Sequence, residues 1–217
     1  MATSHKPLKI PESTAERLSI YLRGLALLSD SRTENVSSHE LGEYAGVNPA
    51  QVRKDFAYFG QFGVRGQGYS VKELRSRIAG ILGTDRTWRV ALIGIGNLGK
   101  ALVSYHGFDK QGFQIAAIFD ADEKKVGKPT KGITVQPMPE LNQTIQDMEI
   151  RIGIIATTAE AAQQVADDLV KAGIWCILNF APARITVPKH VKLRYVDLST
   201  ELESLSFYLT QLGRLNI

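Results

Sequence analysis

Arg89-Val90-Ala91-Leu92-Ile93-Gly94-Ile95-Gly96-Asn97-Leu98-Gly99 carries a β-rich apolar run straight into a Gly-x-Gly-x-x-Gly loop. Such a loop is common by itself, so its neighbours decide its meaning. Leu98 to Tyr105 reads as a helix. Gln114-Ile115-Ala116-Ala117-Ile118-Phe119 reads as a second strand, with Asp120 at its tip, 21 residues beyond Gly99. Strand, glycine loop, helix, strand and terminal acid in that order form a dinucleotide-binding fingerprint. Gly94 permits the tight turn, Gly96 lets the backbone approach a pyrophosphate, and Gly99 lets helix and strand pack closely. Free amides of Ile95, Asn97 and Leu98 at the helix start face phosphate oxygens. Asp120 suits two ribose hydroxyls and repels a 2′-phosphate, which favours NAD(H) over NADP(H) even with Lys124 and Lys125 nearby.

Further apolar runs at Ile150 to Ala156, Trp175 to Leu178 and Leu193 to Val196 alternate with a helical stretch from Glu160 to Ala172. Alternation of this kind predicts a parallel doubly wound sheet. Ligands of such sheets bind beyond the carboxyl ends of the strands. Thr157, Thr158, Asn179, Phe180 and Leu198 lie just past those ends and are the candidates for the nicotinamide half of the coenzyme.

Upstream, Ser13 and Glu16 have capping-box spacing and predict the start of a helix carrying Leu18, Leu22, Leu25 and Leu28. Ser37 and Glu40 repeat the spacing. Gly46-Val47 then turns the chain, Asn48 caps, and Pro49 takes the first position of another helix. Helix, glycine turn and helix make a helix-turn-helix. Val52, Phe56 and Phe59 form its inner face. Ala50, Lys54, Ala57 and Tyr58 point away, flanked by Gln51 and Arg53. Small residues admit the helix to a groove, while Gln51, Arg53, Lys54 and Tyr58 can contact bases or phosphates. Gly60 to Tyr69 is too glycine-rich for helix and reads as a β-hairpin wing, with Arg65 and Gly66 at a tip narrow enough for a minor groove. Val71 to Leu82 reads as a helix.

Bulk properties agree with this division. Net charge is +4 from 26 basic and 22 acidic residues, so the whole chain is not a polycation. Between Tyr44 and Leu82, however, six basic residues face two acids, while Gly83 to Ile217 holds fifteen and fourteen. Positive charge therefore collects where phosphates would be met. The single Cys176 allows no disulfide within one chain and, in its apolar run, is expected to be a buried structural thiol. No membrane-spanning run or signal peptide is evident, giving the expectation of a cytoplasmic protein. His5, His39, His106 and His190 read as surface or structural groups, so neither a catalytic residue nor a metal site is expected. The last segment, Ser199 to Ile217, carries Leu202, Leu205, Leu209 and Leu212 at near-helical spacing. That face must be covered by its own domain or by a partner subunit.

With these residues in view, the chain resembles the Rex family of redox-sensing transcriptional repressors along essentially its whole length. The resemblance is carried by Gln51-Val52-Arg53-Lys54-Asp55, Tyr58-Phe59-Gly60, Gly63 to Tyr69, Gly94 to Gly99, Phe119-Asp120 and Ile177 to Pro182. It implies a winged helix-turn-helix domain over 1–83, a Rossmann domain over 84–198, and a dimerisation helix over 199–217 exchanged between the subunits of a homodimer. It further implies binding to an inverted-repeat operator DNA that NADH weakens and NAD+ permits. Arg17, Tyr105 and Asp197 occupy positions that the resemblance connects with the DNA-bound arrangement. Two other readings compete: a small NAD-dependent oxidoreductase with a dimerising N-terminal domain, and a CoA-binding module.

Overall fold

The computed structural model describes residues 10–63 and 67–215, and the chain divides into two compact units, Met1–Arg86 and Thr87–Ile217. The first unit begins with α1 (Glu12–Asp30), followed by β1 (Asn35–Val36), α2 (Ser38–Ala45), α3 (Pro49–Ala57), β2 (Tyr69–Ser70) and α4 (Val71–Leu82). Helix α1 starts from Pro11 without a side-chain cap, so the expected Ser13 capping box does not form. The other caps do. Ser37 accepts the Glu40 amide while Glu40 takes the Ser37 amide, and Asn48 accepts the Gln51 amide. Gly46 closes α2 at φ +63°, a left-handed conformation that costs glycine little. Leu18, Tyr21 and Leu25 of α1 bury against Leu41, Val52, Phe56, Leu74 and Ile78.

The strand that leaves the glycine-rich segment, β2, pairs antiparallel with β1. Arg65 and Gly66 lie outside the described residues. The base of the wing is held from below: Phe62 stacks on Phe56 at 4.9 Å, Arg77 of α4 lies 3.9 Å over the Phe62 ring, and its guanidinium donates to the Gln61 carbonyl.

The second unit contains β3 (Trp88–Ile93), α5 (Asn97–Val103), α6 (Gly107–Lys110), β4 (Phe113–Asp120), β5 (Pro129–Thr130), β6 (Ile133–Pro137), α7 (Leu141–Asp147), β7 (Ile152–Ile155), α8 (Ala159–Lys171), β8 (Cys176–Asn179), β9 (Lys192–Tyr195) and α9 (Leu198–Leu215). The sheet order is β5-β6-β4-β3-β7-β8-β9. All neighbours are parallel except the β5–β6 edge hairpin, which is the doubly wound Rossmann order with an added antiparallel edge. Alternation along β3 divides the core. Ala91 and Ile93 join α7 and α8 on one face. Val90 and Leu92 join Leu102, Val103 and Phe108 of α5 and α6 on the other. Cys176 opens β8 with an exposed thiol, correcting the expectation of burial; only one face of this strand end is covered. No helix among the described residues is long and apolar enough to cross a membrane.

Candidate functional site

Two separate sets of residues can meet a ligand, one in each unit. In the first, α3 presents Ala50, Arg53, Lys54 and Ala57 to solvent, with Gln51 and Tyr58 half-buried at its flanks. Arg53 leans on α2, its Nη1 donating to Ser38 Oγ at 2.9 Å. Lys54 projects freely, with no ion-pair partner among the described residues. Gln51 is tethered: its Nε2 donates to Asp55 Oδ1 at 2.9 Å.

The sequence singled out Asp55 only as part of the stretch that carries the family resemblance and as one acid in a basic segment. It is 0% exposed. Arg17 approaches it with Nε on one oxygen and Nη2 on the other, both at 2.6 Å; Thr14, Tyr21 and Gln51 complete five donors. Burial pushes the carboxyl pKa up, but the bonds from Arg17, Gln51 and Tyr21, with the Arg17 charge, outweigh it and leave the value lowered. Burial followed by the Asp55 contact raises the Tyr21 phenol. The signal was available: Asp55 lies between Val52 and Phe56 on the inner face of α3, where an acid must find a partner.

In the second unit the glycine loop has the geometry its spacing requires. Gly94 has φ +95°, and a Cβ there would stand 2.6 Å from the Ala156 carbonyl. The loop thus enters the crevice between β3 and β7, where the strand order reverses. A Cβ on Gly99 would collide with the Gly94 carbonyl, so α5 packs directly on the loop. Around Gly96 there is open space, as close approach of a pyrophosphate demands. Ile95 is different. Its side chain is core, and its amide donates to Asp120 Oδ2 at 2.8 Å, so it links loop to acid instead of facing a phosphate. Asn97 and Leu98 open α5, with Leu98 exposed.

Asp120 is 8% exposed. Besides Ile95 it takes the Asp122 amide at 2.9 Å and Lys125 Nζ at 3.1 Å. Burial opposes its ionisation, but the backbone bonds from Asp122 and Ile95, then Lys125, hold its pKa below the usual carboxylate value. A carboxylate offers about four lone-pair positions, so with three taken one acceptor position remains for a ribose hydroxyl.

Beyond β8 and β9 lies a cavity of about 640 Å³, walled by Leu98, Asn179, Phe180, Tyr195, Asp197 and Leu198 among others. It gathers four of the expected cofactor residues. Within it, Asn179 acts as a brace: its carboxamide donates to the Ala181 and Ala183 carbonyls and accepts the Ala181 amide. Thr157 lies half-buried against Gly94, and Thr158 is the N-cap residue of α8. Asp197 accepts the Ser199 amide in the first turn of α9. Tyr105 lies elsewhere, in a second cavity of about 630 Å³ with Arg89, Phe108 and Met148 near the opposite strand ends. One chain therefore does not gather Tyr105 and Asp197 into one cavity, and Arg17 is held by Asp55. No group of three or more metal-ligating side chains stands together among the described residues.

Comparison with known proteins bears on both sets. The family described as "CoA binding domain" matches residues 85–183, and that described as "Putative DNA-binding protein N-terminus" matches 9–57. A redox-sensing transcriptional repressor Rex of Streptomyces coelicolor is 51% identical over 214 residues, covering 96% of this chain and 83% of that protein. One from Pelotomaculum thermopropionicum is 50% identical over 206 residues, covering 95% and 97%. Among solved structures, RSP in complex with NAD+ and operator DNA has 37% identity and a TM-score of 0.89, covering 95% of each chain. RSP in complex with NADH has 35% identity and a TM-score of 0.86, covering 96% and 98%.

Proposed function

The chain belongs to the Rex family of redox-sensing transcriptional repressors, and from that premise we propose that it binds operator DNA when NADH is low and releases it when NADH binds. The observation that carries this reading is the coexistence of an exposed basic recognition helix and a coenzyme-shaped glycine loop in one chain, with no substrate domain between them. The residues suit NAD(H). Gly96 admits the pyrophosphate, Asp120 accepts an adenosine ribose hydroxyl, and Phe180 and Leu198 wall the space for the nicotinamide. Thr157 and Thr158 flank the crevice. When bound, the nicotinamide supplies the redox signal, being cationic if oxidised and neutral if reduced. The apolar walls of Phe180 and Leu198 disfavour the cation, so the reduced form stabilises the conformation in which they close.

Gln51, Arg53, Lys54 and Tyr58 meet the major groove, and Arg65 with Gly66 meets the minor groove. Two copies read the two halves of an inverted repeat. Leu202, Leu205, Leu209 and Leu212 are exposed along α9 in the single chain, which supports a second subunit as their cover. A ligand shifts a conformation only through unequal affinity for the two states. Coupling is reciprocal, so operator DNA weakens NADH binding by the factor by which NADH weakens operator binding. Arg17, Tyr105 and Asp197 are assigned to the transition between states. A repressor acts where the chromosome lies, which places this protein in the cytoplasm.

A gel shift on an inverted-repeat operator over a range of NADH/NAD+ ratios tests the reading. Operator affinity should fall as the ratio rises; an affinity indifferent to the ratio overturns it. Lys54→Ala should weaken DNA binding and spare NADH, and Gly96→Val should do the converse. The match to CoA-binding domains supports a second ligand class. Calorimetry decides: NADH should bind, and CoA should not compete with it.

A further inference from the structure

Asp55 and Gln51 occupy adjacent turns of α3 and are joined by a bond whose polarity is fixed. An ionised carboxylate only accepts hydrogen bonds, so the carboxamide atom 2.9 Å from Asp55 Oδ1 must be Nε2. Asp55 cannot turn away from this duty. It is fully buried, and four of its five bonds come from Thr14, Arg17 and Tyr21 of α1. The Gln51 side chain is thereby denied its usual freedom to rotate by half a turn and exchange donor for acceptor. Its Oε1 becomes the outward group, and among the described residues nothing donates to it. Gln51 is also the third residue of α3, after Pro49 and Ala50, in the turn that enters a groove first.

Resting on the reading of α3 as the recognition helix, we propose that Asp55 is a positioning residue for operator specificity: it fixes the orientation of the Gln51 carboxamide so that Oε1 faces an exocyclic amino group of adenine or cytosine in the major groove. A free glutamine can grip adenine through N6 and N7 together, using both donor and acceptor. A glutamine whose amide nitrogen is held inward presents Oε1 in one fixed orientation, with a single Nε2 hydrogen left over beside it. The outward oxygen favours bases bearing an amino group, adenine N6 or cytosine N4, over the carbonyl edges of guanine and thymine. The polar cluster between α1 and α3 thus sets which hydrogen-bonding face the helix shows, in addition to holding the helix in place.

The test uses the full chain and an operator duplex selected with it from random sequences. Each adenine is replaced in turn by purine deoxyriboside, which lacks N6, and each cytosine by the pyrimidinone lacking N4. The wild type should lose about tenfold in affinity at one position in each half-site. Gln51→Met should bind the parent duplex about tenfold more weakly and show no further loss at that position. Which analogue series reveals the position tells adenine from cytosine. Asp55→Asn, which lets the carboxamide turn over, should flatten discrimination at that position. If Asp55→Asn fails to fold, the comparison between wild type and Gln51→Met stands by itself. Equal losses for wild type and Gln51→Met at every position overturn the proposal, as does an Asp55→Asn protein that keeps full discrimination. Lys54→Ala separates this failure from failure of the underlying reading: if it binds the operator as well as the wild type, α3 is not the DNA-reading helix at all.

Discussion

At the scale of single residues, the two perturbed carboxylates make the protein sensitive to acid, and the sign follows from their direction. Asp55 and Asp120 both titrate below the ordinary value in the folded chain. Each therefore contributes stability that is fully present above about pH 4 and is lost as pH falls from there through its depressed folded pKa. Replacing Asp55 by Asn should remove its share of that slope and leave the share of Asp120. Urea unfolding between pH 2.5 and 7, followed by circular dichroism, measures both, and identical slopes for the two proteins would deny Asp55 its ionised native state. Asp120 was legible in the sequence because its offset from Gly99 is set by one helix and one strand. Asp55 was legible only as an acid on an inner helix face; its partners Thr14, Arg17 and Tyr21 were not, because no spacing rule ties a position on α1 to one on α3. Ile95 shows a related limit. Its place in the loop suggested a phosphate-facing amide, yet the approach of Asp120 redirects it.

At the scale of elements, caps were legible where a side chain reaches its own backbone. The Ser37 box and the Asn48 cap form as their spacings predict, because everything they need lies within four residues. Ser13 and Glu16 have the same spacing, but Pro11 starts the helix earlier and leaves that pair inside it. Ser37→Ala should cost α2 about 1 kcal/mol. The measurable consequence is faster hydrogen exchange of the Ser38–Ala45 amides by about fivefold, with the β3 amides unchanged. An unaltered α2 would mean that its contact with α1, where Tyr44 crowds Gly24, already fixes the helix. Elements that depend on distant partners were harder to read. Strand β2 finds β1 more than thirty residues back, a pairing that no local spacing announces. Strand β6, next to the sheet edge, and helix α7 escaped notice because their apolar residues are few and sit among polar ones.

For the whole molecule, the parallel, doubly wound character of the sheet in the second unit followed from the alternation of apolar runs and helices, since parallel neighbours require such crossovers. The destination of α9 did not, because a leucine stripe states that a cover is needed without saying which surface supplies it. In the single chain Leu205 and Leu209 remain 59% and 69% exposed. Leu205→Glu combined with Leu209→Glu keeps good helix formers on α9 while charging that face. The pair should convert a dimer to a monomer in sedimentation equilibrium and reduce affinity for an inverted repeat to that for a half-site. A variant still dimeric would move the subunit contact away from α9.

The exposed sulfur at the head of β8 also has a practical consequence. Because position 176 is the chain's only thiol, one nitroxide can be attached per protomer without engineering. In the proposed dimer, pulsed electron resonance between the two spins would then act as a molecular ruler, and their separation should change as reducing equivalents rise.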